Sequence, residues 1–312
     1  MSLRRRRPER SEAPAVGRRR SPASAVLAAI VAAAVLAACV TISEEPRAIV
    51  AGAAGVRAAT LDCASALADA RAAPPAAAGV DPAAVRVLTW NLHKEGDDGW
   101  QDDLARFAAA NDALLLQEVV LEDALQAILR DSGFAWVMAS SFVYQSANIG
   151  VLTATRVPPL ASCTQRFAEP LIAIPKSTVI TWLPVAGVRT TLAVANVHAV
   201  NFSLSLDAYE AQLDALAAVL ATHDGPLVVG GDLNTWSQER RAAVRRFADR
   251  LGLAEIAYAD DGRSRFLGQQ VDHLLVRGLA VVTSTATAVR SSDHNPVSAT
   301  FRVSASAGPA PR

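Results

Sequence analysis

Lysine is nearly missing: Lys94 and Lys176 are the only two in a chain of 312 residues. Net charge is missing too, since acidic and basic residues number 30 each. That balance is uneven along the chain. Residues 1–38 hold eight Arg and two Glu, which leaves 22 basic against 28 acidic residues in the rest, a net charge near −6. A domain of that charge is not a general polyanion binder. Arg240, Arg241, Arg245 and Arg246 form a local basic cluster on a helical stretch and read as a solvated helix face. There is no long basic insertion suited to a DNA groove. No Cys-x-x-Cys or His-x-x-x-His spacing occurs, which argues against a structural zinc site. No repeat of solenoid period is found. The apolar run at residues 25–38 falls short of the roughly 20 residues that a membrane-spanning helix needs.

That run has another reading. It follows a basic stretch at residues 2–20, the order found in an export signal. It ends in Leu36-Ala37-Ala38-Cys39. Small residues before a cysteine at this point resemble a bacterial lipoprotein signal, which implies cleavage before Cys39 and lipid on its thiol. The alternative is an uncleaved signal anchor. Both place the domain outside the cytoplasm, on the periplasmic side, tethered to a membrane. Residues 39–84 are rich in Ala and Pro and read as a tether with one short helix at 60–71. Cys63 and Cys163 remain. In an oxidising compartment they suit a disulfide, and as separate buried thiols they suit a core; both readings stand.

About half the chain is apolar, enough for a sizeable core. Hydrophobic periodicity predicts strands at 85–89, 113–116, 135–139, 150–153, 178–183, 190–196, 227–229, 271–276, 281–288 and 297–303. It predicts helices at 100–110, 122–130, 206–221 and 238–251. Leu206, Leu213, Leu216 and Leu220 share one face of the third helix. Residues from 304 onward read as a disordered tail. Strands and helices mixed in this way predict an α/β (α+β) fold: a four-layer sandwich of two packed mixed β-sheets flanked by helices.

Short polar stretches interrupt the apolar runs at strand ends. They are Thr89-Trp90-Asn91-Leu92-His93, Leu116-Gln117-Glu118, Asn196-Val197-His198-Ala199-Val200-Asn201, Gly230-Gly231-Asp232-Leu233-Asn234, Val271-Asp272-His273 and Ser291-Ser292-Asp293-His294-Asn295-Pro296. Singly, each is an ordinary turn or core residue. Together they look like one site built where strands end. A carboxylate beside a histidine can hold a metal and touch a phosphate oxygen at once. Two glycines before Asp232 permit close backbone approach. His93 and His273 read as near-site or core residues, and His223 as a loop-surface residue.

The order of these motifs resembles the endonuclease/exonuclease/phosphatase superfamily over residues 85–303. The stretch from Ile174-Pro175-Lys176 to His198, Asn201 and Phe202 is similar to a little-characterised bacterial branch of it. The resemblance implies a hard divalent cation, Mg2+ or Mn2+, on Glu118 with Asn91 and Asp293. It implies that Asp232 orients the attacking water and that Asn234 bonds the phosphate and helps place Asp232. His294 and His198 would grip the phosphate as imidazolium ions, with Asp272 orienting His294. Where nucleases of the family often carry Tyr and extra Arg or Lys, this chain has Asn201 and Phe202. The implied function is metal-dependent hydrolysis of a phosphodiester or phosphomonoester, in a nucleic acid, nucleotide or phospholipid. The alternative is a non-catalytic binding lipoprotein on the same fold. That reading predicts the loss of at least one motif residue, and none is missing.

Overall fold

A computed structural model describes residues 40–44, 47–73, 78–203 and 205–304. The export signal expected at 1–38, the lipidation site at Cys39 and the tail beyond Ser304 lie outside the described residues. The first half of the described chain runs β1 (Val40–Thr41), β2 (Arg47–Gly52), β3 (Gly55–Ala59), α1 (Cys63–Ala72), β4 (Val85–Asn91), α2 (Trp100–Ala110), β5 (Ala113–Val120), α3 (Asp123–Asp131), β6 (Ala135–Tyr144) and β7 (Ala147–Thr155). It continues through β8 (Ala161–Ala168), β9 (Pro175–Pro184), β10 (Thr191–His198), α4 (Asp207–Leu220), β11 (Leu227–Asp232) and α5 (Gln238–Leu251). The small strands β12 (Ala254–Glu255), β13 (Arg265–Phe266) and β14 (Gln269–Gln270) precede β15 (Asp272–Arg277), β16 (Leu279–Ala286) and β17 (Val297–Val303).

The strands form two large mixed sheets, as the alternation of strands and helices predicts. One has nine strands in the order β16-β17-β4-β5-β7-β6-β2-β3, with β1 also on β6. The other has six, β12-β15-β11-β10-β9-β8. Each sheet contains one parallel pair joined through a helix: β4 and β5 through α2, β10 and β11 through α4.

Period-two alternation sorts the side chains into layers. Leu88, Trp90, Leu114 and Leu116 pack with Leu104 and Phe107 of α2 and Leu125 of α3 on the outer face of the large sheet. Ala193, Ala195, Val197, Leu227 and Val229 pack with α4 and α5 on the outer face of the other. The intervening residues, among them Val85, Val87, Leu115, Val194, Val228, Leu274 and Phe301, fill the space between the sheets. The inward parity continues to the strand ends, where polar residues replace apolar ones: Thr89 and Asn91, Gln117, Asn196 and His198, Asp232, and Asp272.

Within residues 39–84, expected as a tether, the described residues 40–44, 47–73 and 78–84 include strands and a helix. β2 and β3 form a hairpin, and β2 extends the large sheet by pairing with β6, Arg47 opposite Ser140. An Ala-rich strand carries little alternation in hydropathy. Its identity comes from the open edge of β6, which satisfies its backbone groups. The helix expected at 60–71 is α1, capped by Asp62, whose carboxylate accepts from the backbone N–H of Ala64 and Ser65. It is stapled to β8 by a Cys63–Cys163 disulfide with the Cα atoms 4.9 Å apart. Strand β8 also escaped the periodicity. It is an edge strand, and most of its side chains are only half-buried.

Two further expectations are corrected. Arg240 is 1% exposed and belongs to no solvated face, and half-buried Arg241 bonds Gln269, whereas Arg245 and Arg246 are exposed as expected. His223 is buried, its Nε2 3.1 Å from the Pro226 carbonyl, and burial pushes its pKa down to about 4.

The disulfide closes a loop of 100 residues. Replacing Cys63 and Cys163 together by Ala is expected to lower stability by about 2–4 kcal/mol, read as a shifted denaturation midpoint. Reductant should lower the wild-type midpoint and leave that of the double variant unchanged.

Candidate active site

The inward-facing polar residues at the strand ends surround one cleft of about 490 Å³, lined by Glu118, His198, Asp232, Asn234, Asp293 and His294 among others. It opens beyond the carboxyl ends of the two parallel strand pairs, a favoured ligand position in α/β sheets. Pairing sets the neighbours. His198 lies opposite Asp232 on β10 and β11, and Asp232 opposite Asp272 on β11 and β15.

Two glycines bring Asp232 to this point. A Cβ on Gly230 would press on Leu274 and Leu115 between the sheets, and one on Gly231, at φ 145°, would collide with the Val197 carbonyl. Asp232 is 3% exposed. Its Oδ1 accepts from the backbone N–H of Asn234 at 3.0 Å, and its Oδ2 accepts from Asn91 Nδ2 at 3.2 Å. The Asn234 side-chain amide donates to the Ala199 carbonyl, so this residue places Asp232 chiefly through its backbone.

Alternation alone would turn Glu118 toward the helix layer, since Leu114 and Leu116 point there. A register shift in β5 between Leu116 and Val119, with Glu118 at φ 53°, turns it into the cleft instead. A left-handed non-glycine backbone costs about 1 kcal/mol or more, and such strain concentrates at functional positions. Both lysines of the chain converge on this carboxylate. Lys94 contacts Oε2, and Lys176 Nζ lies 3.9 Å from Oε1. Burial opposes the charge on Glu118. His198, Lys176 and Lys94 outweigh it and hold its pKa at about 2.

The two histidines differ. His294 Nδ1 lies 2.8 Å from Asp272 Oδ2. Burial works against its charge, but the Asp272 carboxylate, with Asp232 and Asp293 nearby, pushes its pKa up to about 10. It is an imidazolium at neutral pH. His198, expected to be charged as well, is pushed the other way. Complete burial and the adjacent Lys176 ammonium push its pKa down to about 3, against the opposing pull of Asp232 and Glu118. Lys176 Nζ sits 2.8 Å from His198 Nε2. With Nε2 accepting that bond, the positive charge on this side of the cleft is on the lysine.

The loop carrying His294 is anchored at three points. Ser291 donates to Asp103, Ser292 to the Asn91 carbonyl, and Trp90 Nε1 to the His294 carbonyl at 2.8 Å. The floor beneath is held by residues that the motifs did not single out. Buried Glu169 accepts from the Asn201 backbone N–H at 2.7 Å. Arg240 bonds the Val200 and Asn201 carbonyls and lies 4.5 Å from the ring centres of both Tyr209 and Trp236. A lysine-poor chain that keeps a lysine beside Pro175 carries a signal for Lys176. The role of Arg240 has no local signal.

Among the described residues, no three His, Cys, Asp or Glu side chains converge in a metal-binding cluster. The donor set nevertheless fits a hard divalent cation. Glu118 is held ionised beside two ammonium groups, and Asp293, 57% exposed, lines the same cleft. Mg2+ ordinarily takes one or two carboxylates and completes its shell with water and phosphate oxygens. Asn91 adjoins the set, its amide oxygen accepting from the His93 backbone N–H at 3.0 Å.

The raised pKa of His294 carries a sign. Its stabilising charge is fully present below its ordinary value of 6.5 and is lost as pH rises through about 10. Asp272→Asn is therefore expected to bring the His294 pKa down by more than one unit, measured by imidazole NMR titration. It should also remove that alkaline loss from the stability–pH curve. An unchanged titration would show that Asp272 does not hold the charge.

The family model for the Endonuclease/Exonuclease/phosphatase family matches residues 88–294. A UPF0294 protein of Vibrio campbellii is 34% identical over 70% of this chain and 77% of its own length. The UPF0294 protein of Klebsiella pneumoniae is 36% identical over 70% and 82%. Among solved structures, the human Nocturnin catalytic domain with bound sulfate matches with a TM-score of 0.54 at 19% identity, over 72% of this chain and 96% of that one. A Bacteroides thetaiotaomicron mannosyl-6-phosphatase matches with a TM-score of 0.56 at 14% identity, over 70% and 99%. At such identities these structures speak for the fold alone, while the sequence relatives and the family model speak for descent: the chain belongs to the Endonuclease/Exonuclease/phosphatase family.

Proposed function

We propose that the protein is a metal-dependent hydrolase of phosphoric esters, acting on a phosphodiester or phosphomonoester by in-line attack of water. The observation that carries this reading is the charge layout of the cleft. A buried carboxylate, Asp232, lies between an imidazolium, His294, and an ammonium–imidazole pair, Lys176 and His198. A phosphoryl group seated there meets a base for its nucleophile and two cationic faces for its oxygens.

Asp232, oriented by Asn91 and Asn234, holds the attacking water and takes its proton. His294, kept charged by Asp272, turns one N–H, on Nε2, to the phosphoryl oxygens, its Nδ1–H being spent on Asp272. Lys176 brings the opposite positive charge, held in place by its hydrogen bond to His198 Nε2. Glu118, Asp293 and the Asn91 amide oxygen would hold Mg2+ or Mn2+, which when bound neutralises phosphoryl charge as a Lewis acid. Family membership supports a phosphoester as the substrate, and the matched mannosyl-6-phosphatase and Nocturnin domains share this fold.

Hydrolysis of an aryl phosphodiester and an aryl phosphomonoester is expected with Mg2+ or Mn2+ and abolished by EDTA. Asp232→Ala or His294→Ala should lower kcat by about 10²–10⁴-fold with the fold retained by circular dichroism. Near-wild-type turnover in either variant would sink the assignment. Lys176→Met is expected to lower kcat and to raise the His198 pKa, since its largest cationic neighbour is removed.

A further inference from the structure

Behind the cleft lies a second carboxylate–imidazole pair, which the proposed reaction does not use. β15 opens with Asp272 and His273, and successive strand residues point to opposite faces. Asp272 faces the cleft and holds His294. His273 lines a separate cavity of about 270 Å³ against α5, together with Thr235 and Glu255. It is 4% exposed. Its Nδ1 lies 2.8 Å from Glu255 Oε1 on β12, and its Nε2 lies 2.6 Å from the Thr235 hydroxyl.

Hydrogen-bond accounting gives this chain a direction. Thr235 has one hydroxyl proton, and it goes to the Gln270 carbonyl at 2.6 Å, because a carbonyl only accepts. His273 Nε2 therefore donates to the Thr235 oxygen. Burial opposes the charge on Glu255. His273 and Arg263 outweigh it and hold its pKa at about 2, so this carboxylate accepts from Nδ1. Arg263 donates to the same Glu255 oxygen at 2.6 Å. Carboxylate, imidazole and hydroxyl are connected as in a nucleophile triad. Thr235 is no nucleophile, however: none of its surface is exposed, and its proton is already given to a carbonyl.

The position of Thr235 shows what the trio holds. It follows Asn234, whose φ of 49° lies in the left-handed region, a conformation that persists in a non-glycine residue when its surroundings fix it. The Asn234 backbone N–H donates to Asp232 Oδ1 at 3.0 Å, so this turn sets the direction of the Asp232 carboxylate. Two bonds stitch the turn to the residues that lead into β15. Leu233 N–H donates to the Val271 carbonyl at 2.8 Å, and the Thr235 hydroxyl donates to the Gln270 carbonyl. The second bond lies directly after the strained residue, and His273 fixes the hydroxyl that makes it.

We infer that Thr235, His273 and Glu255 are positioning residues: they lock the left-handed turn at Asn234 and so aim Asp232 at the attacking water. The water rests on the proposed function; the lock on the turn rests on the hydrogen bonds alone. None of the three lines the catalytic cleft. Their loss therefore costs rate rather than substrate binding, since Lys176 and His294 stay in place.

The test uses the full chain with Mn2+ and the aryl phosphodiester, alongside the NMR signal of the Asn234 amide. Thr235→Val keeps the shape of the side chain and removes its hydroxyl. It is expected to lower kcat about 10–100-fold at unchanged KM, to shift the Asn234 amide signal and to speed its hydrogen exchange. Thr235→Ser restores the hydroxyl and should return kcat to near the wild-type value. Glu255→Ala alters a side chain that is 41% exposed, which leaves the core closed, and should move kcat and the amide signal in the same directions as Thr235→Val. A lowered denaturation midpoint with kcat held would make the trio a structural one and overturn the inference. An Asn234 amide unmoved in both Thr235→Val and Glu255→Ala would overturn it as well. A wild-type protein that turns over neither aryl ester would refute the hydrolase reading, and the Asn234 amide then decides the lock on its own.

Discussion

One amide clasp between the two sheets sets the geometry of everything in front of it. Gln117 Nε2 donates to Asn196 Oδ1 at 2.6 Å and lies 3.1 Å from Thr89 Oγ1. Asn196 Nδ2 in turn donates to the Leu116 and Leu152 carbonyls. All three residues are buried, so their polar groups must find one another or remain unsatisfied at a cost of about 1–3 kcal/mol each. Thr89, Gln117 and Asn196 sit one or two residues behind Asn91, Glu118 and His198. Apolar packing between sheets tolerates small slides, whereas a directional network between amides does not. The clasp therefore holds the register of one sheet against the other where the cleft begins.

In front of the clasp the constraint is electrostatic. Glu118, Asp232, Asp272 and Glu169 are wholly or largely buried carboxylates gathered around one cleft, and buried charge is costly unless paired. The chain meets that cost with few cations. Its two lysines both reach Glu118, His294 is charged by Asp272, and Arg240 holds the backbone beneath. This concentration gives the low lysine content a structural meaning. The two lysines are placed where the buried carboxylates need them.

The segment before β4 shows how tertiary context overrides composition. Read alone, residues 39–84 are Ala- and Pro-rich and resemble a tether. In the fold they complete an edge of one sheet, cover a face of the other and are stapled by Cys63–Cys163. An alanine strand has too little contrast between its faces to declare itself. Hydrogen bonds to β6 and a helix seat on the second sheet supply what side-chain hydropathy does not.

Much was legible in the sequence because two periodicities carry it. The strands from β4 onward that alternate or run apolar, and all four helices after α1, were visible from spacing. The polar stretches that interrupt them at their ends marked which residues meet: Asn91, Glu118, His198, Asp232, Asn234, Asp272 and His294. Each stretch is read locally, and the sheet ends bring them together by pairing alone. What only the tertiary structure decided is the charge and direction of those groups. The His198 pKa is pushed down by complete burial and by Lys176, 22 residues away, which reaches its ring nitrogen. Glu118 faces the cleft because a shift in register reverses its parity. Arg240 is buried beneath the site, although its helix reads as solvated. These outcomes depend on desolvation and on partners distant in sequence, and neither is a property of any window of residues.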